Sequence, residues 1–236
     1  MKQVVIIYAK WPTRGATKTR IGKITGDDFA YELSVRCFDD LIANIKNSEN
    51  YDIIVGVNSK KEARLFKEKY GLNSLVVPTS RNGTKQEKQS VKFDSIFSIL
   101  LNEKKYGKAL LIPMDVPYLT NEDLNRAFND LNRSQFVFGP EHNGGVYLIG
   151  LRGPFANGVF NGVRWSTENS FIDLTANTQG ECVQLHYLED INEFEDLFKA
   201  KDKIELNCPS VYALMTRAIK PATKSREALE VDYENY

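Results

Sequence analysis

Five cations crowd one short stretch near the amino terminus: Lys10, Arg14, Lys18, Arg20 and Lys23, set around Gly15. Cations at a turn with free backbone N–H groups suit a diphosphate. The spacing matches neither G-x-x-x-x-G-K-[ST] nor G-x-G-x-x-G, so neither familiar nucleotide loop is present. A solvated basic loop is the plain alternative. Asp115, in Ile112-Pro-Met-Asp-Val-Pro117, stands before a residue pair that keeps the backbone extended or turning. A carboxylate there can hold Mg2+ or Mn2+ against phosphate oxygens, or close a turn through its own backbone. Glu141-His-Asn-Gly-Gly145 has paired glycines that permit a hairpin turn or close approach of a ligand. His142 is either a neutral-pH acid/base group or simply solvated, and His186 reads as structural within an apolar strand. Arg164-Trp-Ser-Thr-Glu168 offers groups for an anionic or hydroxylated ligand, with Thr167 a candidate helix cap and Trp165 a core plug or stacking platform.

These residues need a frame to position them. Residues 3–9 are a continuous apolar run, as in a strand buried on both faces. A polar loop, 10–27, follows. Phe29, Leu33, Cys37, Leu41 and Ile45 then recur at helical spacing, with Asp27 or Asp28 as cap. Residues 52–57 read as a strand, Ser59–Glu62 opens a helix to about Tyr70, and 74–78 form a third strand. The stretch 79–92 is polar and poorly patterned, a flexible loop over a site. Phe93, Ile96, Phe97, Leu100 and Leu101 mark a helix, and 108–113 a fourth strand. Thr120–Asp123 starts a helix carrying Leu124, Ala127, Phe128 and Leu131. Strands at 135–139 and 146–151 flank the Gly-rich bend, and a strand near 181–188 precedes a helix near 190–200. This alternation predicts an α/β fold, three-layer α/β/α, with a mostly parallel sheet. Residues 1–220 are expected to form one domain and 221–236 a polar, mobile tail.

The chain of 236 residues has 31 Lys+Arg against 31 Asp+Glu, so the net charge is zero and a dedicated nucleic-acid binder is excluded. No apolar run reaches the ~18–20 residues of a membrane span. The run after Met1 is too short for a signal-peptide core and cleavage site. Three scattered cysteines, Cys37, Cys182 and Cys208, fit a reducing compartment better than a disulfide framework, and the expected address is the cytoplasm.

Taken in order, four segments carry a family resemblance. They are Tyr8-Ala-Lys-x-Pro-x-x-Gly-x-x-Lys-Thr-Arg-Ile21, Asp115-x-Pro-x-Leu-Thr120, Gly139-Pro-x-x-Asn-Gly-Gly-x-Tyr-Leu-Ile-Gly-Leu151 and Phe160-x-Gly-Val-x-Trp-Ser-Thr167. Across about residues 4–200 the chain resembles the DUF2064 family of GT-A-like transferases, which implies a nucleotide-diphospho-sugar transferase fold. The resemblance implies Lys10, Lys18 and Arg20 as phosphate ligands near Gly15, with Ala9 beside the nucleoside. It implies Asp115 as ligand of Mg2+ or Mn2+, and Gly144, Gly145, Trp165, Ser166 and Thr167 on the sugar or acceptor side. The chain departs from the family pattern at Asn143, where the family has Asp, and at Pro113-Met114, where it has glycine. The family's Gln-x-x-Gly-x-x-Gly-x-Arg stretch is also absent around 86–97. Losing the carboxylate at 143 removes a potential base or second metal ligand, although Asn coordinates through its carbonyl.

The expected reaction is glycosyl transfer from a nucleotide-sugar to a small-molecule acceptor, with Glu141 or Glu168 deprotonating the acceptor hydroxyl. The alternatives are nucleotidyl transfer from an NTP to a phosphorylated small molecule, and a nucleotide-binding module without catalysis.

Overall fold

In the computed structural model, residues 1–46 and 49–219 are described. The tail 221–236, expected to be mobile, lies outside them. Among the described residues, seven strands form one sheet: β1 (Gln3–Tyr8), β2 (Asp52–Val57), β3 (Asn73–Val76), β4 (Lys108–Pro113), β5 (Phe136–Pro140), β6 (Val146–Arg152) and β7 (Cys182–Gln184). Their spatial order is β3-β2-β1-β4-β6-β5-β7. All neighbours pair parallel except β6, which runs antiparallel to both β4 and β5. The mixed, mostly parallel α/β sheet is therefore as the alternation of elements predicted.

Strand periodicity sorts the core into two layers. In β1, Val5 and Ile7 face one side while Val4 and Ile6 face the other, because successive side chains alternate across a sheet. The first side is covered by α2 (Asp27–Ile45), α3 (Lys60–Tyr70), α5 (Asn121–Asp130), α8 (Lys201–Asn207) and α9 (Pro209–Ile219), through Leu33, Phe66, Phe128, Ile204 and Leu214. The second is covered by α4 (Lys85–Phe97), continued by a π-helical turn over Ser98–Glu103, and by α6 (Ser170–Asn177). Buried Asp40 on α2 accepts the N–H groups of Ser210 and Val211, supplying partners that the start of α9 would otherwise lack. Residues 201–219, unassigned from sequence, are thus two helices closing one layer.

Several elements differ from expectation. The polar loop 10–27 contains α1 (Thr19–Thr25), which buries only Ile21. Asp27 and Asp28 lie in the first turn of α2, whose N-cap is Gly26. The polar stretch 79–92 is helical from Lys85, where Thr84 and Glu87 form a reciprocal capping box. Ser59 caps α3 as expected, but the Glu62 carboxylate reaches the Asn58 N–H at 3.0 Å. The strand expected at 181–188 has only three residues, and His186 lies beyond it, exposed, 3.7 Å from Asp123. The helix expected at 190–200 is reduced to α7 (Asp196–Lys199). The chain between them is held as loop by its contacts with the site.

Candidate functional site

The site is built where β1 and β4 end. After Tyr8, the Ala9 N–H bonds to Gly56 O at 3.0 Å, so the chain leaves the sheet beside β2. Glu62 accepts the Trp11 N–H at 3.1 Å and ties this departing loop to the turn after β2. The loop ends at Lys18, whose backbone is left-handed (φ 43°, ψ 47°) immediately before α1. A non-glycine residue there is strained, and such residues concentrate at functional positions. The Lys18 ammonium donates to Asp115 Oδ1 at 2.5 Å and to Ile191 O at 2.6 Å. Its side chain is only 6% exposed. Burial opposes its charge, but Asp115 foremost, with Cys37 and Asp190, outweighs burial and holds its pKa above the ordinary value. Arg20 donates to Glu193 Oε1 at 2.8 Å and is largely exposed.

Asp115 follows β4 directly, and its carbonyl accepts the Ile191 N–H at 2.9 Å. The Tyr118 hydroxyl donates to Glu189 O. These bonds dock residues 189–192 over the end of β4 and bring Asp190 to the site. Burial, then nearby Asp115, raises the Asp190 carboxyl above its ordinary range, against the pull of Lys18. Sequence reasoning missed Asp190, since it is one of five acids between 189 and 196 and no spacing sets it apart from the others.

The bend 140–146 is a hairpin between β5 and β6. Glu141 N–H donates to Gly145 O and Gly144 N–H to Glu141 O, both at 3.0 Å, while Gly145 N–H reaches Asn143 Oδ1 at 2.8 Å. Glu141 folds back beneath Gly145, where a Cβ would stand 2.3 Å from its Oε2. It is 7% exposed. Burial first, then Asp190, pushes its pKa up to about 8, opposed by a hydrogen bond with Asn143 and reinforced by Glu189 and Asp115. Gly144 (φ 84°) is where this hairpin meets the next segment, since a Cβ there would lie 2.0 Å from Glu168 O.

Trp165 is buried among Phe93 and Phe160, and its indole N–H donates to Ser90 Oγ at 2.9 Å. It therefore serves as plug and wall together. Arg164 is held by Asp173 through its backbone N–H and guanidinium at 2.8–2.9 Å, and it is not among the residues lining the cavity that these segments enclose. Thr167 does not cap α6, whose N-cap is Asn169; its hydroxyl bonds Arg164 O at 2.6 Å. Ser166 is left-handed (φ 59°).

These segments enclose a cavity of about 670 Å3. That falls within the range of small-molecule sites and lies beyond carboxyl strand ends, where open α/β sheets bind ligands. Lys18, Arg20, Glu141, Asn143 and Gly145 line it, as do Trp165 through Glu168. Tyr8, Lys85, Gln89 and Asp190 join them without having been singled out from sequence. Ala9, Lys10, Gly15 and Gly144 are not among its lining residues. Ala9 is buried against β2, Lys10 faces solvent, Gly15 packs near Asp27, and Gly144 abuts Glu168. Arg14 pairs with Asp28. Asp115 is likewise not among the lining residues and reaches the cavity only through its bond to Lys18, which lines it. His142 is exposed and stacks on Tyr187.

Among the described residues, no three His, Cys, Asp or Glu side chains converge closely enough to hold an ion alone. Asp115 and Asp190 offer carboxylate oxygens, the donor type a hard cation takes. Mg2+ is commonly held by one or two carboxylates, with substrate phosphates and water completing its shell. The Lys18 ammonium, seated between two oxygens, shows that a positive charge is accommodated beside Asp115.

A family model described as "uncharacterized protein conserved in bacteria (DUF2064)" matches residues 41–167. A solved structure of a candidate nucleotide-diphospho-sugar transferase from Desulfovibrio desulfuricans G20 superposes with TM-score 0.77 at 23% identity, covering 92% of this chain and 95% of that one. The 4-diphosphocytidyl-2C-methyl-D-erythritol synthase of Anaerococcus prevotii gives TM-score 0.52 at 13% identity, covering 86% and 98%. A cytidylyltransferase from Leptospira borgpetersenii gives 0.50 at 12%, covering 93% and 94%. At such identities the likeness is one of fold. Curated protein sequences contain no match.

Proposed function

Because this chain belongs to the DUF2064 family, we propose that it is a metal-dependent transferase that moves a sugar from a nucleotide-diphospho-sugar to the hydroxyl of a small acceptor. One observation carries the reading: the Lys18–Asp115 pair, with Arg20 and Asp190 nearby, sits at a cavity large enough for such a donor. Asp115 and Asp190 would hold Mg2+ or Mn2+ at the diphosphate. The ion would supply positive charge against the negative charge that grows on the departing diphosphate. Lys18 and Arg20 add fixed positive charge to the same end. Glu141, a carboxyl whose proton affinity is raised toward neutrality, accepts the acceptor's proton. Asn143 supports it by hydrogen bonding, and Glu168 lies on the same cavity wall. Ser166 and Thr167 offer hydroxyl and backbone groups to the sugar.

The fold shared with cytidylyltransferases favours a second reading, nucleotidyl transfer from an NTP to a phosphorylated small molecule. A buried proton acceptor supports the first, because an acceptor phosphate is already ionised and needs no base. Incubation with UDP-, GDP- and TDP-sugars plus Mn2+ is expected to release nucleoside diphosphate, and Asp115→Ala to slow release at least ~100-fold. Pyrophosphate formed from an NTP only with a phosphorylated acceptor would establish the second reading instead. Nucleotide binding without either product would mark a non-catalytic module.

A further inference from the structure

The Lys18 side chain does something a simple phosphate ligand would not. It is buried, its ammonium lies 2.5 Å from Asp115 Oδ1 and 2.6 Å from Ile191 O, and its backbone is left-handed. A carboxylate and a carbonyl gathered on one positive centre are the donors a hard divalent ion would take. A second observation is independent of this pair. Among the described residues, no three acidic, His or Cys side chains converge on one point, so an ion at Asp115 would complete its shell with water or with phosphate oxygens.

We propose that Lys18 is an internal stand-in for the divalent cation, occupying Asp115 until a diphosphate arrives. A bare ion must displace an ammonium already held by Asp115 Oδ1 and Ile191 O, and then lie beside its charge. A diphosphate changes both terms. Its oxygens complete the ion's shell and offer Lys18 a new anionic partner. Cation and diphosphate therefore bind as one unit, and the substrate enters as the metal chelate. This rests on the diphosphate-donor reading above for the identity of the ligand. The competition between Lys18 and the ion is a property of the chain alone.

The test uses Mn2+ as the probe, without nucleotide, on the full chain. Calorimetry, or the electron paramagnetic resonance signal of free Mn2+, measures the affinity of wild type, Lys18→Met and Lys18→Gln. Thermal melting verifies that each is folded, and the glutamine removes the charge while keeping a polar side chain at the position. Removing the competitor is expected to tighten Mn2+ binding at least ~10-fold, roughly 1.4 kcal/mol. Lys85→Met removes a cavity charge that belongs to no described ion pair, and is expected to change Mn2+ affinity less than threefold. Adding Asp115→Ala to Lys18→Met is expected to abolish the gain. Mn2+ affinity unchanged or weakened in the folded Lys18 variants overturns the proposal, as does an equal gain in Lys85→Met. In wild type, full thermal stabilisation by Mn2+ alone, with nothing added by inorganic pyrophosphate, overturns it as well. Failure of every sugar donor in the activity assay would strike the functional reading and leave the Mn2+ comparison standing.

Discussion

Glu141 lies beneath its own turn, with Asp190, Glu189 and Asp115 around it and an Asn143 hydrogen bond to offset them. The environment that raises its proton affinity also costs stability. Its carboxyl rises from an ordinary 4.5 to about 8, so the folded chain keeps a proton that the unfolded chain releases. Stability associated with that neutral carboxyl is present at low pH and falls as pH climbs between those two values. Glu141→Gln, neutral throughout, is expected to flatten this decline. Melting between pH 5 and 9 without divalent cation would show the variant at least ~1 kcal/mol more stable at the alkaline end, a few degrees in Tm. Arg164 teaches the opposite lesson. Its sequence neighbours are candidate site residues, yet it pairs with Asp173, because one carboxylate on α6 accepts both its backbone N–H and two N–H groups of its guanidinium.

At the scale of elements, the cavity depends on where two turns touch. The β5–β6 hairpin presents Glu141 and Asn143, and the 164–169 segment presents Ser166 to Glu168. Gly144 lets their backbones meet, and Phe171 N–H donates to Gly144 O at 3.0 Å. Gly144→Ala would drive a Cβ into the Glu168 carbonyl from a left-handed backbone. The expected cost is about 2–3 kcal/mol in denaturant unfolding, with loss of donor binding even in the folded fraction. The same scale explains the two helices hidden in polar sequence. α1 buries one side chain, and the first two turns of α4 bury only Ser90, so neither shows an apolar stripe. α1 is held by its packing on α2, and α4 by a local capping box at its start and by Phe93, Ile96 and Phe97 packing into the core further on.

For the molecule as a whole, the sheet separates two cores that share few side chains. Ile45 on α2 belongs to one and Ile96 on α4 to the other, both fully buried. Ile45→Val and Ile96→Val are each expected to cost about 0.5–1.5 kcal/mol. Chemical denaturation of the double variant should return the sum within ~0.5 kcal/mol, since the sites share no partners. A larger discrepancy would mean that the layers communicate through the sheet. No described helix is long and apolar enough to cross a membrane.

Local chemistry was legible wherever a pattern repeats along the chain. The continuous apolar run of β1, the helical stripe of α2, the capping of α3 and α5 and the hairpin at Asn143–Gly145 follow from rules that act over a few residues. The basic loop and Asp115 could likewise be picked out by type and position. Their meeting could not. Lys18 and Asp115 are separated by 97 residues and Lys18 and Ile191 by 173. Which cation reaches which oxygen depends on how the strands order themselves, and Lys18 reaches inward while Lys10 remains in solvent. Asp190 enters for the same reason: backbone bonds to the end of β4 hold an irregular segment there, and contacts of that range leave no period or spacing in a one-dimensional chain.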